Sequence, residues 1–233
     1  MNTNTLPTLT TSKYELTLPS SGETIEFRPF LVKEEKILLT AQESNDQRQI
    51  MRAVADVIKA CTFDKVDANK LPLYDIEKIF IELRTKSVGS KSNVSLSCSS
   101  CEAPNELEFD LDDVEMVKVD ERPDKKIMIN DTVGVVVRDV KMKELANIDS
   151  GSYTDAISSA IEQIFDADSV WVADELTKRE LNEFVDNFAH STVQLITDYL
   201  QSAPKFVLKS KFTCKKCAHP NESEVTGITN FFS

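Results

Sequence analysis

Two Cys-x-x-Cys pairs constrain this chain more than any other feature: Cys98-Ser-Ser-Cys101 and Cys214-Lys-Lys-Cys217. Each lies between two runs of strand character, residues 94–97 and 106–111 for the first, 206–212 and 222–225 for the second. Two thiolates three positions apart reach one metal from one side. Two such hairpins face to face supply the four soft ligands of a tetrahedral zinc site. Four thiolates leave no open position, so such a zinc ion holds structure and performs no chemistry. Because 112 residues separate Cys101 from Cys214, a shared metal ties an early part of the fold to its last hairpin. The competing reading is a pair of redox or disulfide motifs. A thioredoxin-type motif belongs where a strand ends and a helix begins. Here Pro104 and Pro220 each follow the second cysteine by three residues, and a strand-like run comes next, which suits a hairpin turn.

The remaining cysteine, Cys61, falls on an apolar stripe with Ile50, Val54, Val57 and Ile58. That spacing is one face of a helix, so Cys61 reads as a buried core thiol and not as a fifth ligand. His219 lies inside the second knuckle and could replace a cysteine, but four thiols suffice. His190 sits half a turn away from the stripe of its predicted helix and points outward.

Around the cysteines the expected organisation is α+β: a helical core, small antiparallel hairpins, and a zinc-ribbon-like module formed by the two distant knuckles. Residues 1–13 read as a polar mobile arm. Residues 14–91 hold a hairpin (14–18 with 24–27) and three helices, near 32–42, along the Cys61 stripe, and over 72–85 with Leu73, Ile76, Ile79, Phe80 and Leu83 inward. Residues 92–112 form the first zinc hairpin. Residues 113–203 hold another hairpin (126–129 with 133–137) and a helical region. There Tyr153, Ile157, Ala160, Ile161 and Ile164 predict one stripe, and Thr177 with Glu180 a capping box opening the longest helix, to about Gln201. Residues 204–233 form the second zinc hairpin and a tail. No linker, repeat or charge block divides these parts, so they read as one intertwined unit. Asp166, Asp168, Asp174 and Glu175 surround Trp171 without the spacing of a calcium loop, and predict an acidic loop beside a buried tryptophan.

Composition narrows the function. With only 5 Gly there is no phosphate-cradling loop, and no apolar run is long enough to span a membrane. The N-terminus lacks the basic start and apolar stretch of a signal peptide, and reduced metal-binding cysteines fit synthesis in the cytosol. A net charge of −12 repels phosphate backbones. Lys205, Lys209, Lys211, Lys215 and Lys216 make one basic cluster around the second knuckle, which leaves a zinc-ribbon nucleic-acid binder as an alternative to a solubilising function. Neither histidine sits beside a plausible nucleophile, so no catalytic constellation is visible. A thiol-redox enzyme is the remaining enzymatic alternative.

Several stretches stand out: Leu18-Pro-Ser-Ser-Gly22, Phe27-Arg-Pro-Phe-Leu-Val-Lys-Glu-Glu-Lys-Ile-Leu-Leu39, Phe80-Ile-Glu-Leu-Arg-Thr-Lys-Ser-Val-Gly89, both Cys-x-x-Cys pairs and the ending Gly227-Ile-Thr-Asn-Phe-Phe232. With these the chain resembles a family of T-even-type bacteriophage baseplate hub and baseplate hub assembly proteins. The resemblance implies a non-enzymatic tail-assembly protein. Its partners would be other hub or tail proteins, with no nucleic acid, membrane or small-molecule substrate. It would work in the host cytoplasm during assembly, and either stay in the virion tail baseplate or leave as a chaperone. Phe231 and Phe232 then read either as an anchor for a partner or as a tail tucked against the chain's own core.

Overall fold

The computed structural model describes residues 10–44, 46–144 and 152–227. The expected partner anchor at Phe231 and Phe232 and most of the N-terminal arm lie outside these residues.

The first part follows the apolar pattern closely. Strands β1 (Tyr14–Thr17) and β2 (Thr24–Phe27) pair antiparallel, Tyr14 opposite Phe27. Gly22 closes their loop at φ +71°, a left-handed conformation that costs glycine little. Helices α1 (Val32–Glu43), α2 (Gln47–Cys61) and α3 (Leu73–Val88) then cover the hairpin. Asp46 caps α2 by accepting the Arg48 amide at 2.8 Å. The buried faces meet in one core: Leu16 and Phe27 from the hairpin, Val54, Val57, Ile58 and Cys61 from α2, Ile76, Ile79, Phe80 and Leu83 from α3. Pro72 caps α3 in an extended conformation instead of entering its first turn, and the helix runs three residues past Thr85.

The second part differs from its pattern in three places. Strands β6 (Lys126–Met128), β7 (Gly134–Val137), β8 (Ile161–Phe165) and β9 (Val170–Val172) form one antiparallel sheet in that order. The predicted helical stripe is therefore split. Helix α4 (Tyr153–Ser159) ends at Ala160, Tyr153 is exposed, and Ile161 and Ile164 belong to β8. An odd spacing should put those isoleucines on opposite faces of a strand. A register shift between Val136 and Val137 resets the phase, so Val137 opposes Ile161 and Val135 opposes Ile164, and all four are buried. The bulge makes a strand imitate helical spacing.

Trp171 is not buried: it lies in the edge strand β9 and is 42 % exposed. The long helix is two helices, α5 (Lys178–Val185) and α6 (His190–Gln201). The Asn187 side chain bonds the Glu183 carbonyl at 2.7 Å and ends α5, and α6 restarts at His190, which is exposed as expected. The capping box holds, with the Thr177 amide donating to Glu180 at 2.8 Å. Because the break adds a turn without discarding the stripe, Val185, Val193, Ile196 and Tyr199 still pack on the sheet beside Ile127, Val135 and Ile161.

Helix α3 links the parts. Its Tyr74 and Ile81 face a third core with Leu111, Phe206, Leu208 and Val225. The Tyr74 hydroxyl donates to Asp139 at 3.0 Å. Asp139 also takes a two-pronged ion pair from Arg122 (2.6 and 3.1 Å), whose guanidinium lies 4.4 Å from the Tyr199 ring centre.

Candidate metal centre

The two cysteine knuckles close two long hairpins. Strand β3 (Lys91–Ser97) pairs with β4 (Pro104–Asp110), and β10 (Lys205–Thr213) with β11 (Pro220–Thr226). A short strand not foreseen in the sequence, β5 (Glu115–Val117), adds to the free side of β10.

The knuckles share one backbone plan. The Cys98 amide donates to the Ala103 carbonyl and the Cys214 amide to the His219 carbonyl, both at 2.9 Å. Glu102 (φ +57°) and Ala218 (φ +59°) take the left-handed conformation that turns the chain back. Pro104 and Pro220 then open the return strands opposite Ser97 and Thr213. Amides two residues on point at the first sulfur of each pair: Ser100 to Cys98 Sγ and Lys216 to Cys214 Sγ, both at 3.4 Å.

All four sulfurs lie within 4.8 Å of one another. Cys98 Sγ is 3.7 Å from Cys217 Sγ, and Cys101 Sγ is 3.7 Å from Cys214 Sγ. Ligands at about 2.3 Å from a central ion, arranged tetrahedrally, stand about 3.8 Å apart. The spacing fits that geometry and is far longer than the ~2.0 Å of a disulfide. The four thiols could therefore bind a metal ion. Among the described residues this is the only grouping of metal-ligating side chains close enough to do so.

The surroundings favour thiolate at part of the site. The Cys217 and Lys216 amides lower the Cys214 pKa to about 6. Burial opposes ionisation of Cys98, yet the amides of Ser100 and Cys101 and the Asn221 side chain outweigh it and lower its pKa. The His219 amide lowers the Cys217 pKa, but the Cys101 thiol, desolvation and the other two thiols push it up to about 12. Four crowded sulfurs cannot all carry charge unless a cation sits among them.

Two buried asparagines join the hairpins. Asn105 donates to its own knuckle at the Ala103 carbonyl (2.9 Å) and across to Cys214 Sγ (3.8 Å), and accepts the Lys215 amide (2.9 Å). Asn221 repeats this in reverse: it donates to the His219 carbonyl (2.8 Å) and to Cys98 Sγ (3.6 Å), and accepts the Ser99 amide (2.9 Å). These residues carry a signal that cysteine spacing does not. Both hairpins read Cys-x-x-Cys-x-x-Pro-Asn-Glu, a short internal repeat at 98–106 and 214–222 that corrects the expectation of no repeat.

Other candidates stand apart from this centre. Cys61 is fully buried in the first core beside Arg28, and burial raises its pKa to about 11. His219 is exposed and contributes its carbonyl to the turn. Asp174 pairs with Arg138 (2.9 Å) and Lys143 (3.4 Å), and Asp166 caps its own turn through the amides of Asp168 and Ser169. Within the basic cluster, Lys209 pairs with Glu115 (3.4 Å), Lys211 with Glu222 (2.6 Å), and Lys215 bonds the Glu106 carbonyl (3.3 Å). Among the described residues no helix is long and apolar enough to cross a membrane.

No curated protein and no solved structure matches the chain. One family model does, that of the T4 bacteriophage base plate protein, and it takes in residues 11–233. That span includes both hairpins and all three cores, and the chain belongs to the T4 bacteriophage base plate protein family.

Proposed function

We propose that this chain is a non-enzymatic component or assembly factor of the phage baseplate hub. It is stapled by one structural zinc ion at Cys98, Cys101, Cys214 and Cys217 and acts through contacts with other hub or tail proteins in the host cytoplasm. The observation that supports this reading is the close approach of four cysteine sulfurs, in a base plate family chain, across two hairpins far apart in sequence. A bound zinc ion would supply a cross-link; the protein's own groups set its geometry through the knuckle amides and the paired asparagines. With four protein ligands there is no position for a substrate or an activated water.

The alternatives find less support. Two of the five lysines of the basic cluster pair with Glu115 and Glu222 and a third bonds the Glu106 carbonyl, and the net charge of −12 opposes a phosphate backbone. A thioredoxin-type redox motif lies where a strand ends and a helix begins, whereas each pair here lies between two strands.

The test combines metal analysis with interaction. Protein purified under reducing conditions should hold one zinc per chain and co-purify with hub proteins when they are expressed together. Protein without metal, or one that reduces insulin disulfides in a Cys214-dependent way, would overturn the reading. Mass spectrometry of purified virions then separates a resident subunit from a released chaperone.

A further inference from the structure

The four-stranded sheet has one face packed on the second core and one face that is only partly covered, by its own Phe165 and Lys126. Its packed rows enter the second core through Ile127, Val135 and Ile164. The alternate rows belong to no core. Met128, Gly134, Phe165 and Val170 stand in one row and Lys126, Val136, Gln163 and Val172 in the next. The Phe165 ring lies over Gly134, where a Cβ would come within 2.3 Å of it, and Lys126 Nζ sits 4.6 Å from the ring centre. Met128 is 48 % exposed and Val170 61 %.

This face ends at β9, an open edge. Among the described residues every other edge strand carries a Lys or Glu: β1, β2, β3, β4, β5, β6 and β11 all do. Such charges deter strand pairing. Strand β9 is Val170-Trp171-Val172, with no charge and no proline, and all three side chains are exposed. The Asp166 amide bonds the Ser169 carbonyl, so ladder alternation turns the Trp171 N–H and C=O toward β8 and leaves the N–H and C=O of Val170 and the N–H of Val172 facing outward, the Val172 carbonyl being taken by the helical turn that starts at Ala173.

Charge selects the occupant. The turn leading into β9 carries Asp166 and Asp168, and no basic side chain pairs with either in the described structure. A second copy brings another chain of net charge −12, and antiparallel self-pairing centred on Trp171 sets Asp168 of one copy opposite Asp174 of the other. We propose that the β9 edge, with the exposed side chains of Val170 and Val172 beside it, docks an extended segment of another protein as an added strand, its centre apolar and its flank basic, beside the Asp166–Asp168 turn. This rests on the reading that the chain works through protein contacts, and it does not depend on the metal.

Trp171 is the sole tryptophan and reports directly on the edge. The experiment titrates the full chain with a synthetic peptide of alternating valine and threonine carrying lysines at both ends, against a glutamate-flanked counterpart. The lysine peptide should shift Trp171 emission saturably and bind at least about tenfold tighter than its counterpart, with the difference shrinking in salt. Val172→Pro should weaken binding by removing one outward N–H; its φ of −84° already suits proline, so circular dichroism and zinc content should stay unchanged. Asp168→Lys should weaken binding of the lysine peptide alone. Equal binding of both peptides, no binding by folded zinc-loaded protein, or binding untouched by Val172→Pro would overturn the proposal. So would concentration-dependent dimerisation that Val172→Pro abolishes, since the edge would then belong to a second copy. Peptide binding by a chain that purifies without metal would sink the zinc reading alone.

Discussion

Asn105 and Asn221 occupy equivalent places on the two hairpins, and each hydrogen-bonds into the other's knuckle. Reciprocal side-chain bonds thus join the two hairpins where their four cysteines come together. Groups that orient metal ligands from behind commonly set affinity by factors of about 10 to 100. Asn105→Ala and Asn221→Ala should each weaken zinc binding by about tenfold or more, and by similar amounts, because their bonds mirror one another. Competition with a chromophoric chelator measures this. Unchanged affinity in both variants would show that the asparagines only fill space.

Removing a ligand should do more. Metal binding in such a site is coupled to folding, so Cys98→Ser or Cys214→Ser should lose the metal and cost several kcal/mol. The loss should concentrate in β3, β4, β10 and β11. Hydrogen exchange, compared with the parent protein stripped by a chelator, checks the location. Protection lost evenly over all three cores would contradict a local staple.

Cys61→Ala should separate packing from ligation. Its thiol is sealed in the first core and donates nothing to the cluster. The variant should keep its full zinc content and lose about 1–2 kcal/mol through a small cavity. Zinc loss equal to that of Cys98→Ser would refute the ligand assignment.

A buried carboxylate gives a pH signature. Burial pushes the Glu77 pKa up from 4.5 to about 7, against the opposing bond from the Phe206 amide. The folded state therefore holds a proton that the unfolded state releases. Stability from this group is complete below about pH 4.5 and falls as pH rises to about 7. Glu77→Gln removes the charge and keeps an acceptor for the Phe206 amide. At pH 8 the variant should be more stable than the parent by an amount of order 3 kcal/mol at most, and near pH 5 the gap should narrow. Urea unfolding of both proteins at each pH checks this, with the metal contribution common to the pair. A gap that does not change with pH would remove Glu77 as its source.

The sequence was most legible where one periodicity ruled alone. Val54, Val57, Ile58 and Cys61 could serve only one helix face, and all four are fully buried. The cysteine spacing likewise marked the two hairpins whose thiols come together. Misreading came where a local irregularity mimicked another period. The bulge at Val136 and Val137 gave Ile161 and Ile164 a helix-like spacing inside a strand. The break after Val185 kept the apolar stripe of two short helices in phase, so they read as one. Trp171 failed for a different reason: whether a strand is central or at an edge depends on sheet order, which local pattern does not encode. The asparagines were within reach, since Pro-Asn-Glu follows both cysteine pairs, but only the cross-hairpin bonds show why they recur.

The separation of the knuckles also sets a clock on synthesis. Cys98 and Cys101 leave the ribosome while 112 residues still precede Cys214, so until then the nascent chain can offer this centre only half its ligands. The first core, which ends before the first knuckle apart from Met142, can fold early. The cysteine centre can close only once Cys217 has been made. A prematurely terminated chain could own a sound amino-terminal core and still lack the clasp, leaving the β3–β4 hairpin without its counterpart. Only a chain translated past Cys217 can bring all four thiols together.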